Sequence, residues 1–182
     1  MKVTKYDNFI NIQLLGEIQE LTKNCIELNK YKFTNYEKWP GYVVKDSEKV
    51  LVWDIKNENE NIYKKICNYV EIETGYKDVM CCYIHCWKQS SFIPWHTDGD
   101  YDAALTIYLN NIWDKDWGGY FMYQDKDGEI KCVIPKKNLA ILQENSILHS
   151  TTMTTPSATD RITLQLFLNN KIENSKKLST LI

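Results

Sequence analysis

The sequence predicts a mainly β domain with N-terminal helices, of the β-sandwich or jelly-roll type. Two observations support this. Apolar residues recur at helical spacing in the first third of the chain, and from Asp78 onward short apolar stretches alternate with turn residues. Helices and strands are thus segregated, which disfavours a doubly wound α/β fold. We expect one domain over 1–182, with a helical support region (1–77), a jelly-roll core (78–170) and a tail (171–182).

Two amphipathic helices are expected in the support region. In the first, Asn8 is the expected N-cap, and apolar residues follow at three- and four-residue spacing. These residues are Ile12, Leu15, Ile18, Leu21, Cys25 and Leu28. The second helix runs from about Glu58 to Thr74 and stops at Gly75. Between the two helices, Trp39–Tyr42 is expected as a loop and Val50–Trp53 as a short strand.

Seven strands are expected in the jelly-roll core, separated by turns. They are Val79–Trp87, Tyr101–Asn110, Gly119–Gln124, Glu129–Ile134, Asn138–Gln143, Ser146–Met153 and Arg161–Leu168. The dipeptide Asp127-Gly128 between two apolar runs is a strong hairpin signal. Seven short strands after two helices favour a jelly roll buttressed on one face by the helices.

The composition narrows the functional classes. A chain of 182 residues with a net charge of −2 shows no basic footprint for nucleic acid or an anionic membrane. The sequence has no apolar run of membrane-spanning length and no secretory signal, so a cytoplasmic location is expected. The six cysteines form no C-x-x-C pair and are expected as buried free thiols. The oligomeric state stays open.

Two of the three histidines form, with a carboxylate, a pattern typical of a metal site. Residues i and i+2 of a strand project to the same face, so His96 and Asp98 can bind one ion together, and His149 on a later strand can supply the third ligand. Two imidazoles and one carboxylate on one octahedral face leave three positions open. That number suits iron, because a 2-oxo acid takes two positions and dioxygen the third. The remaining histidine, His85, is expected in the core.

The chain has a single arginine, Arg161, among 22 basic residues. Its planar guanidinium can bind a carboxylate through two parallel hydrogen bonds, which lysine cannot do. Alternation along the last strand places Thr163 on the same face, and Tyr108 supplies a further polar group. The alternative role for Arg161, a surface salt bridge, would be served equally well by lysine. We therefore predict a pocket for an organic acid, 2-oxoglutarate, beside the metal.

The segment Ile93–Phe167 resembles the Fe(II)/2-oxoglutarate-dependent dioxygenases, in particular their prolyl 4-hydroxylase-like branch. The motifs that carry the resemblance are His96-Thr97-Asp98, Leu105–Asn110, Trp117-Gly118-Gly119, Pro135 before Leu139–Leu142, His149 and Arg161-x-Thr163. The resemblance implies a double-stranded β-helix, the cupin-like form of the jelly roll. It also implies iron bound by the two histidines and the aspartate, and a distal 2-oxoglutarate carboxylate bound by the arginine with the threonine and Tyr108 in support.

Two features depart from the family pattern. The spacing from His149 to Arg161 is longer than usual, so residues 151–157 are expected to loop out between strands. The family often has a cofactor-contacting tyrosine upstream of the His-x-Asp triplet. Here Trp87 stands nearest to that position, and Tyr83 and His85 on the same face of the strand are the candidate substitutes.

The resemblance further implies a hydroxylase that converts 2-oxoglutarate and dioxygen to succinate and CO2 while oxidising a C–H bond of its substrate. The expected substrate is a peptidyl side chain, proline among them, and the alternative is a free amino acid or other small metabolite. Candidate mouth and wall residues are Trp39, Trp53, Trp95, Trp113, Tyr101, Phe121, Met122 and Phe167. Two other classes stay open: a cupin-like metalloenzyme that does not use 2-oxoglutarate, and a non-catalytic binding module.

Overall fold

The computed structural model describes residues 2–28, 50–144 and 147–172. Its strands are β1 (Val3–Tyr6), β2 (Val50–Asp54), β3 (Tyr76–Trp87), β4 (Ile93–His96), β5 (Ala103–Tyr108), β6 (Phe121–Gln124), β7 (Ile130–Val133), β8 (Ala140–Glu144), β9 (His149–Thr151) and β10 (Arg161–Lys171). Its α-helices are α1 (Ile12–Glu27), α2 (Ile55–Glu58) and α3 (Glu60–Thr74). The predicted mainly β architecture with N-terminal helices is confirmed.

The strands form two antiparallel sheets. One has six strands in the order β1-β8-β5-β10-β3-β2, and the other has four in the order β4-β9-β6-β7. All seven strands expected in the core are present with shifted bounds, and β2 was also predicted. Strand β1 was not predicted, and β4 ends at His96, so the extended strand expected to carry both His96 and Asp98 stops before Asp98. The β6–β7 hairpin turns at Gly128 with φ of +82°, as the Asp127-Gly128 signal predicted. The expected loop at Trp39–Tyr42 lies outside the described residues.

Helix α1 begins one turn later than the expected cap. The side chain of Asn11 accepts a hydrogen bond from the Leu14 amide (3.0 Å), which satisfies one of the free amides of the first turn. The prediction of Asn8 as the cap was wrong: it takes φ of +52° in the turn before the helix, a conformation that asparagine tolerates. None of the described helices is both long and apolar enough to cross a bilayer.

Helix α3 has the bounds that its sequence predicts within two residues. Asn59 caps its start by accepting from the Ile62 amide (3.0 Å), and Gly75 ends it in the left-handed conformation. The buried face of α3 packs with that of α1 and with one face of the six-stranded sheet in the main core. Of the cysteines, Cys25, Cys82 and Cys86 are buried as expected, whereas Cys132 is exposed.

The central strand β10 separates the core from the second sheet. Its residues Leu164, Leu166 and Leu168 are fully buried on the helix side. Each such side chain contributes about 1.5–3 kcal/mol through burial. Alternation then turns the other residues of β10, beginning with Arg161, toward the four-stranded sheet. A cavity lies on that side of β10.

Candidate active site

The cavity between the sheets encloses about 520 Å³ of space free of protein atoms, its open mouth included. Strand register orders its wall. Arg161 lies opposite Trp87, Thr163 lies opposite Tyr108, and Gln165 lies opposite Thr106. The next inward position, Phe167, lies opposite Ala104, which itself pairs with Gln143. One end of the cavity therefore belongs to Arg161 and the other to the region around Gln143.

Three ligating side chains meet at the end around Gln143. His96 ends β4 and His149 begins β9, and the pairing of these strands sets the two residues opposite each other with ring centroids 4.2 Å apart. Asp98 lies between them, with Oδ1 3.6 Å from Nε2 of His96 and Oδ2 3.6 Å from Nε2 of His149. One ligand atom from each residue lies within 4.8 Å of the others, so a single ion could bind all three. The structure thus brings the predicted triad together.

Both imidazole rings are fixed by backbone carbonyls. Nδ1 of His96 lies 2.8 Å from the Pro94 oxygen, and Nδ1 of His149 lies 2.9 Å from the Ile147 oxygen. A carbonyl only accepts hydrogen bonds, so each Nδ1 carries a proton, and in the neutral ring Nε2 keeps the lone pair that a metal ion would bind. This arrangement of a ligating histidine is the usual one at protein metal sites.

Burial and charge act together on the ionisation of the triad. Burial lowers the pKa of His149, although Asp98 opposes this. For His96, burial also lowers the pKa, but the hydrogen bonds to Asp98 and Pro94 outweigh it and the pKa is raised. Burial would raise the pKa of Asp98, yet the contacts with the two histidines bring it below its usual value. Asp98 is therefore an ionised carboxylate, and a divalent cation would supply the missing positive charge.

Arg161 at the other end is a buried and uncompensated cation. It is 3% exposed, its Nη1 donates to the Gly119 oxygen (3.0 Å), and its guanidinium carbon lies 5.2 Å from the centre of the Trp87 ring. Its Nε is buried without a hydrogen-bond partner, and among the described residues no carboxylate pairs with it. Burial lowers the pKa of Arg161 to about 10, which still leaves the group charged at neutral pH. A buried charge of this kind is costly unless a ligand neutralises it.

The Trp117-Gly118-Gly119 motif makes room for this guanidinium. Gly118 and Gly119 have φ of +70° and +68°, and a Cβ at Gly118 would overlap the Met153 carbonyl. A Cβ at Gly119 would lie 2.9 Å from the Thr154 side chain and 3.4 Å from Cδ of Arg161. Glycine is therefore required at both positions. The longer segment before β10 loops out through Thr154, which pairs with Gly118, and leaves Arg161 facing the cavity.

The groups beside Arg161 are polar and neutral. Thr163 and Tyr108 are both buried in the cavity wall, and burial raises the pKa of Tyr108 to about 12, so its phenol is protonated and can donate. His85 also lines the cavity, and burial together with the charge of Arg161 lowers its pKa to about 3, so its ring is neutral. Trp87 contributes its ring face to Arg161. These four residues surround the guanidinium without neutralising it.

Other predicted residues take varied positions. Tyr83 stacks on His85 with ring centroids 6.1 Å apart, but among the described residues it is not part of the cavity wall, so the structure does not bring it to the site. Phe121 and Phe167 line the wall, whereas Met122 does not. Trp53 is only 2% exposed within the main core, so its assignment to the mouth was wrong.

The remaining aromatic candidates lie in three places. Tyr101 stacks on Phe167 at 4.7 Å, beside the triad end of the wall. Trp95 is 38% exposed next to His96 on β4. Trp113 packs edge-on against Trp117 near Gly119, and it does not line the cavity. Trp39 lies outside the described residues.

Sequence reasoning gave no site role to five cavity residues: Ile93, Thr106, Gln143, Thr151 and Gln165. Thr106 donates to Oε1 of Gln165 (2.6 Å) across neighbouring strands. Alternation from Arg161 already places Gln165 on the inward face of β10, and this signal could have identified it. Gln143 shows no comparable local signal.

Comparisons with known proteins agree with this geometry. Residues 81–169 match the model of the 2OG-Fe(II) oxygenase superfamily, and this segment contains the triad and Arg161. This segment of the chain therefore matches the superfamily of iron- and 2-oxoglutarate-dependent oxygenases, as its motifs predicted. Among curated proteins, no sequence matches the chain.

Solved structures share the fold. A prolyl-4-hydroxylase from Pseudomonas putida superposes with a TM-score of 0.71 at 14% identity, over 93% of this chain and 92% of that one. A prolyl hydroxylase from Trichoplax adhaerens, solved with a hypoxia inducible factor peptide fragment, gives 0.71 at 11% identity over 92% and 83%. HygX from Streptomyces hygroscopicus, solved with nickel and 2-oxoglutarate, gives 0.63 at 10% identity over 92% and 82%. The predicted double-stranded β-helix is confirmed.

Proposed function

We propose that this protein hydroxylates a C–H bond of an amino-acid side chain within a peptide, such as that of proline, with release of succinate and CO2. In this proposal His96, Asp98 and His149 bind the iron, and Arg161 binds the distal carboxylate of 2-oxoglutarate. The observation that carries the proposal is the buried guanidinium, which faces the same cavity as the triad and has no carboxylate partner among the residues that the structure describes. A 2-oxo diacid that reaches from the ion to Arg161 would satisfy both ends.

The triad suits iron(II) by its donor set. Two imidazoles with fixed rings and one ionised carboxylate would hold the ion, and this donor set is typical of iron(II) sites that keep positions open for other ligands. When bound, the iron supplies the activation of dioxygen that drives both the decarboxylation of 2-oxoglutarate and the oxidation of the substrate. The protein holds the ligands in place before the ion arrives.

The Arg161 end suits a carboxylate. The guanidinium can donate through Nε and its terminal nitrogens, and Thr163 and Tyr108 present hydroxyl groups on the adjoining strand positions. A hydrogen bond to a charged group contributes about 1.5–3 kcal/mol, and a buried setting without bulk water strengthens it. The Trp87 ring covers one face of the guanidinium, which restricts its orientation.

The wall near the triad favours an uncharged aliphatic substrate group. Ile93, Phe121 and Phe167 are apolar, and the ring of Phe121 lies 5.5 Å from that of His149. Tyr101 extends this apolar surface by stacking on Phe167. The pyrrolidine ring of a prolyl residue fits such a wall. The names of the two prolyl hydroxylases that share the fold, one of them solved with a peptide, support the same choice.

The cofactor assignment is tested by anaerobic spectroscopy. Adding Fe(II) and 2-oxoglutarate to the purified protein should produce a weak visible charge-transfer band, and admitting oxygen should release succinate. Arg161→Met should lose the band at 2-oxoglutarate concentrations that saturate the wild type. Lys136→Met removes an exposed cation and should keep it. A band unaffected by Arg161→Met would contradict the proposal.

The substrate class is tested by a matched screen. Proline-containing peptides and free proline are compared for stimulated succinate release, and products are examined for the mass of one added oxygen atom. Modification of peptides supports a peptidyl substrate. Modification of the free amino acid alone, or of an unrelated metabolite alone, would replace it with the small-molecule alternative.

A further inference from the structure

Gln143 is a buried glutamine on β8 whose side chain reaches the triad. It is 3% exposed, and its strand neighbours are Val3 on β1 and Ala104 on β5. The residue before it in the strand, Leu142, faces the opposite side and belongs to the main core. A buried carboxamide is costly unless it is hydrogen-bonded, so the contacts of this amide are the reason it is tolerated.

Both strong contacts of the amide are made to residues of the triad. Nε2 of Gln143 donates to Oδ2 of Asp98 and lies 3.0 Å from Nε2 of His149. The carboxylate only accepts, and Nε2 of His149 carries a lone pair because its Nδ1 faces a carbonyl. The nitrogen, and not the oxygen, of the carboxamide therefore faces the triad.

Asp98 needs an anchor because the chain around it has no regular structure. Strand β4 ends at His96, and residues 97–100 include Gly99 with φ of +75°. By contrast, each histidine ring is already held by a backbone carbonyl. The amide of Gln143 connects the carboxylate to β8 of the six-stranded sheet, which pairs with β1 and β5.

We propose that Gln143 is a positioning residue of the metal centre. Its amide holds Oδ2 of Asp98, so that Oδ1, the oxygen beside Nε2 of His96, is presented to the ion. At Nε2 of His149, the ion would take the place of the Gln143 amide. This inference rests on the proposed function, because it takes the triad as the metal site. Residues that orient metal ligands typically contribute 10- to 100-fold to metal affinity.

The test compares two matched substitutions. Gln143→Met keeps the length of the side chain and removes the amide, and Gln165→Met makes the same replacement in the same cavity without touching the triad. Co(II) affinity is measured without 2-oxoglutarate, from visible absorption and from the metal-induced rise in Tm. We expect about 10- to 100-fold weaker binding in Gln143→Met and wild-type binding in Gln165→Met. Equal or tighter binding in Gln143→Met would overturn the inference.

A second measurement does not depend on the folding of any variant. In a crystal structure of the Co(II)-loaded wild type, the amide nitrogen of Gln143 should lie within hydrogen-bond distance of the Asp98 oxygen that is not on the metal. An amide turned away from Asp98, or its oxygen bound to the ion, would overturn the positioning role alone. A wild type that binds no Co(II) would instead remove the proposed metal site itself.

Discussion

The two ends of the cavity differ in how completely the protein satisfies them. At the triad end, the imidazoles, the carboxylate and Gln143 contact one another, so the polar groups have partners before any ligand binds. At the Arg161 end, a buried cation faces neutral side chains, and its Nε has no partner among the described residues. The Arg161 end, where a buried charge lacks a counter-charge, therefore says more about the chemistry of the ligand than the triad end does.

The two ends also come from different parts of the fold. The histidines lie on the short strands of the four-stranded sheet, whereas Arg161, Thr163, Tyr108 and Trp87 lie on the long central strands of the six-stranded sheet. Closing the sheets on each other is what joins a metal site to an anion site. Substitutions at the Arg161 end should consequently leave metal binding at the triad intact.

The largest effect is expected from removing the carboxylate of the triad. Asp98→Ala should lower 2-oxoglutarate turnover at least about 100-fold, since even residues that only orient a metal ligand contribute up to that much. Turnover is measured as succinate release at saturating Fe(II). Asp100→Ala, which removes an exposed carboxylate two residues further along, is the control and should keep wild-type turnover. A loss below tenfold in Asp98→Ala would exclude it as a ligand.

The next-largest effect is expected at the Arg161 end, where a substitution can separate the role of the positive charge from that of the planar guanidinium. Arg161→Lys keeps a cation but loses the planar fork, so 2-oxoglutarate should bind about 10- to 100-fold more weakly, equivalent to one charged hydrogen bond. Binding is measured by titrating the visible band, and Co(II) affinity in the same variant should stay at the wild-type value. Unchanged 2-oxoglutarate affinity in Arg161→Lys would show that charge alone suffices.

Substitution of Arg161 should weaken ligand binding but raise the stability of the ligand-free protein. Arg161→Met removes a buried charge whose lowered pKa shows that the protein disfavours it. The Tm of the ligand-free protein should rise, because apolar replacement of buried ionic groups is often stabilising by about 1–4 kcal/mol. Added 2-oxoglutarate, which we expect to raise the Tm of the wild type, should then no longer raise that of the variant. A lower ligand-free Tm would mean that the contacts with Gly119 and Trp87 outweigh the cost of burial.

Acid should destabilise the fold through His85. Its folded pKa of about 3 lies below the ordinary value of about 6.5, so between these pH values the unfolded chain binds more protons. Stability is therefore full above pH ~6.5 and falls on acidification by up to about 1.4 kcal/mol per pH unit. In urea unfolding series at different pH values, His85→Leu should reduce the slope of unfolding free energy against pH by the contribution of one proton. His149, whose pKa is also lowered, should still contribute in the same direction. An identical slope in the variant would contradict the neutral, buried state of His85.

The smallest effects are expected from the hydroxyl groups beside Arg161. Thr163→Val and Tyr108→Phe should each weaken 2-oxoglutarate binding about 2- to 12-fold, because a neutral hydrogen bond contributes about 0.5–1.5 kcal/mol. Isothermal titration with Co(II)-loaded protein measures both. A loss of affinity as large as that in Arg161→Lys would show that the hydroxyl group contributes as much to 2-oxoglutarate binding as the guanidinium does.

Much of the site followed from the sequence because its signals are local. Strand alternation placed Arg161 and Thr163 on one face, and the donor types identified the triad. Gln143 escaped because its role depends on sheet register and on a loop far away in sequence. Tyr83 lies outside the cavity wall although it is on the same face of β3 as Trp87, since it stands four residues away along the strand. Its role as a cofactor contact stays a prediction.

The fold was predictable to a similar depth. Turn residues and apolar runs located most strands, but β1 is too short and polar to be recognised before its pairing with β8 is known. Trp53 was misplaced because β2 is buried almost throughout, so aromatic character there reflects packing. The single domain and the cytoplasmic location stay predictions.

The pairing of β1 with β8 has a practical consequence for handling the protein. Residues Val3–Tyr6 cover the hydrogen-bonding edge of the strand that bears Gln143, with Val3 directly opposite it. Trimming them would uncover a bare edge strand, which invites pairing between molecules and aggregation. Weaker metal binding in such a shortened protein would then result from disruption of the sheet edge. It would give no information about the ligand residues themselves.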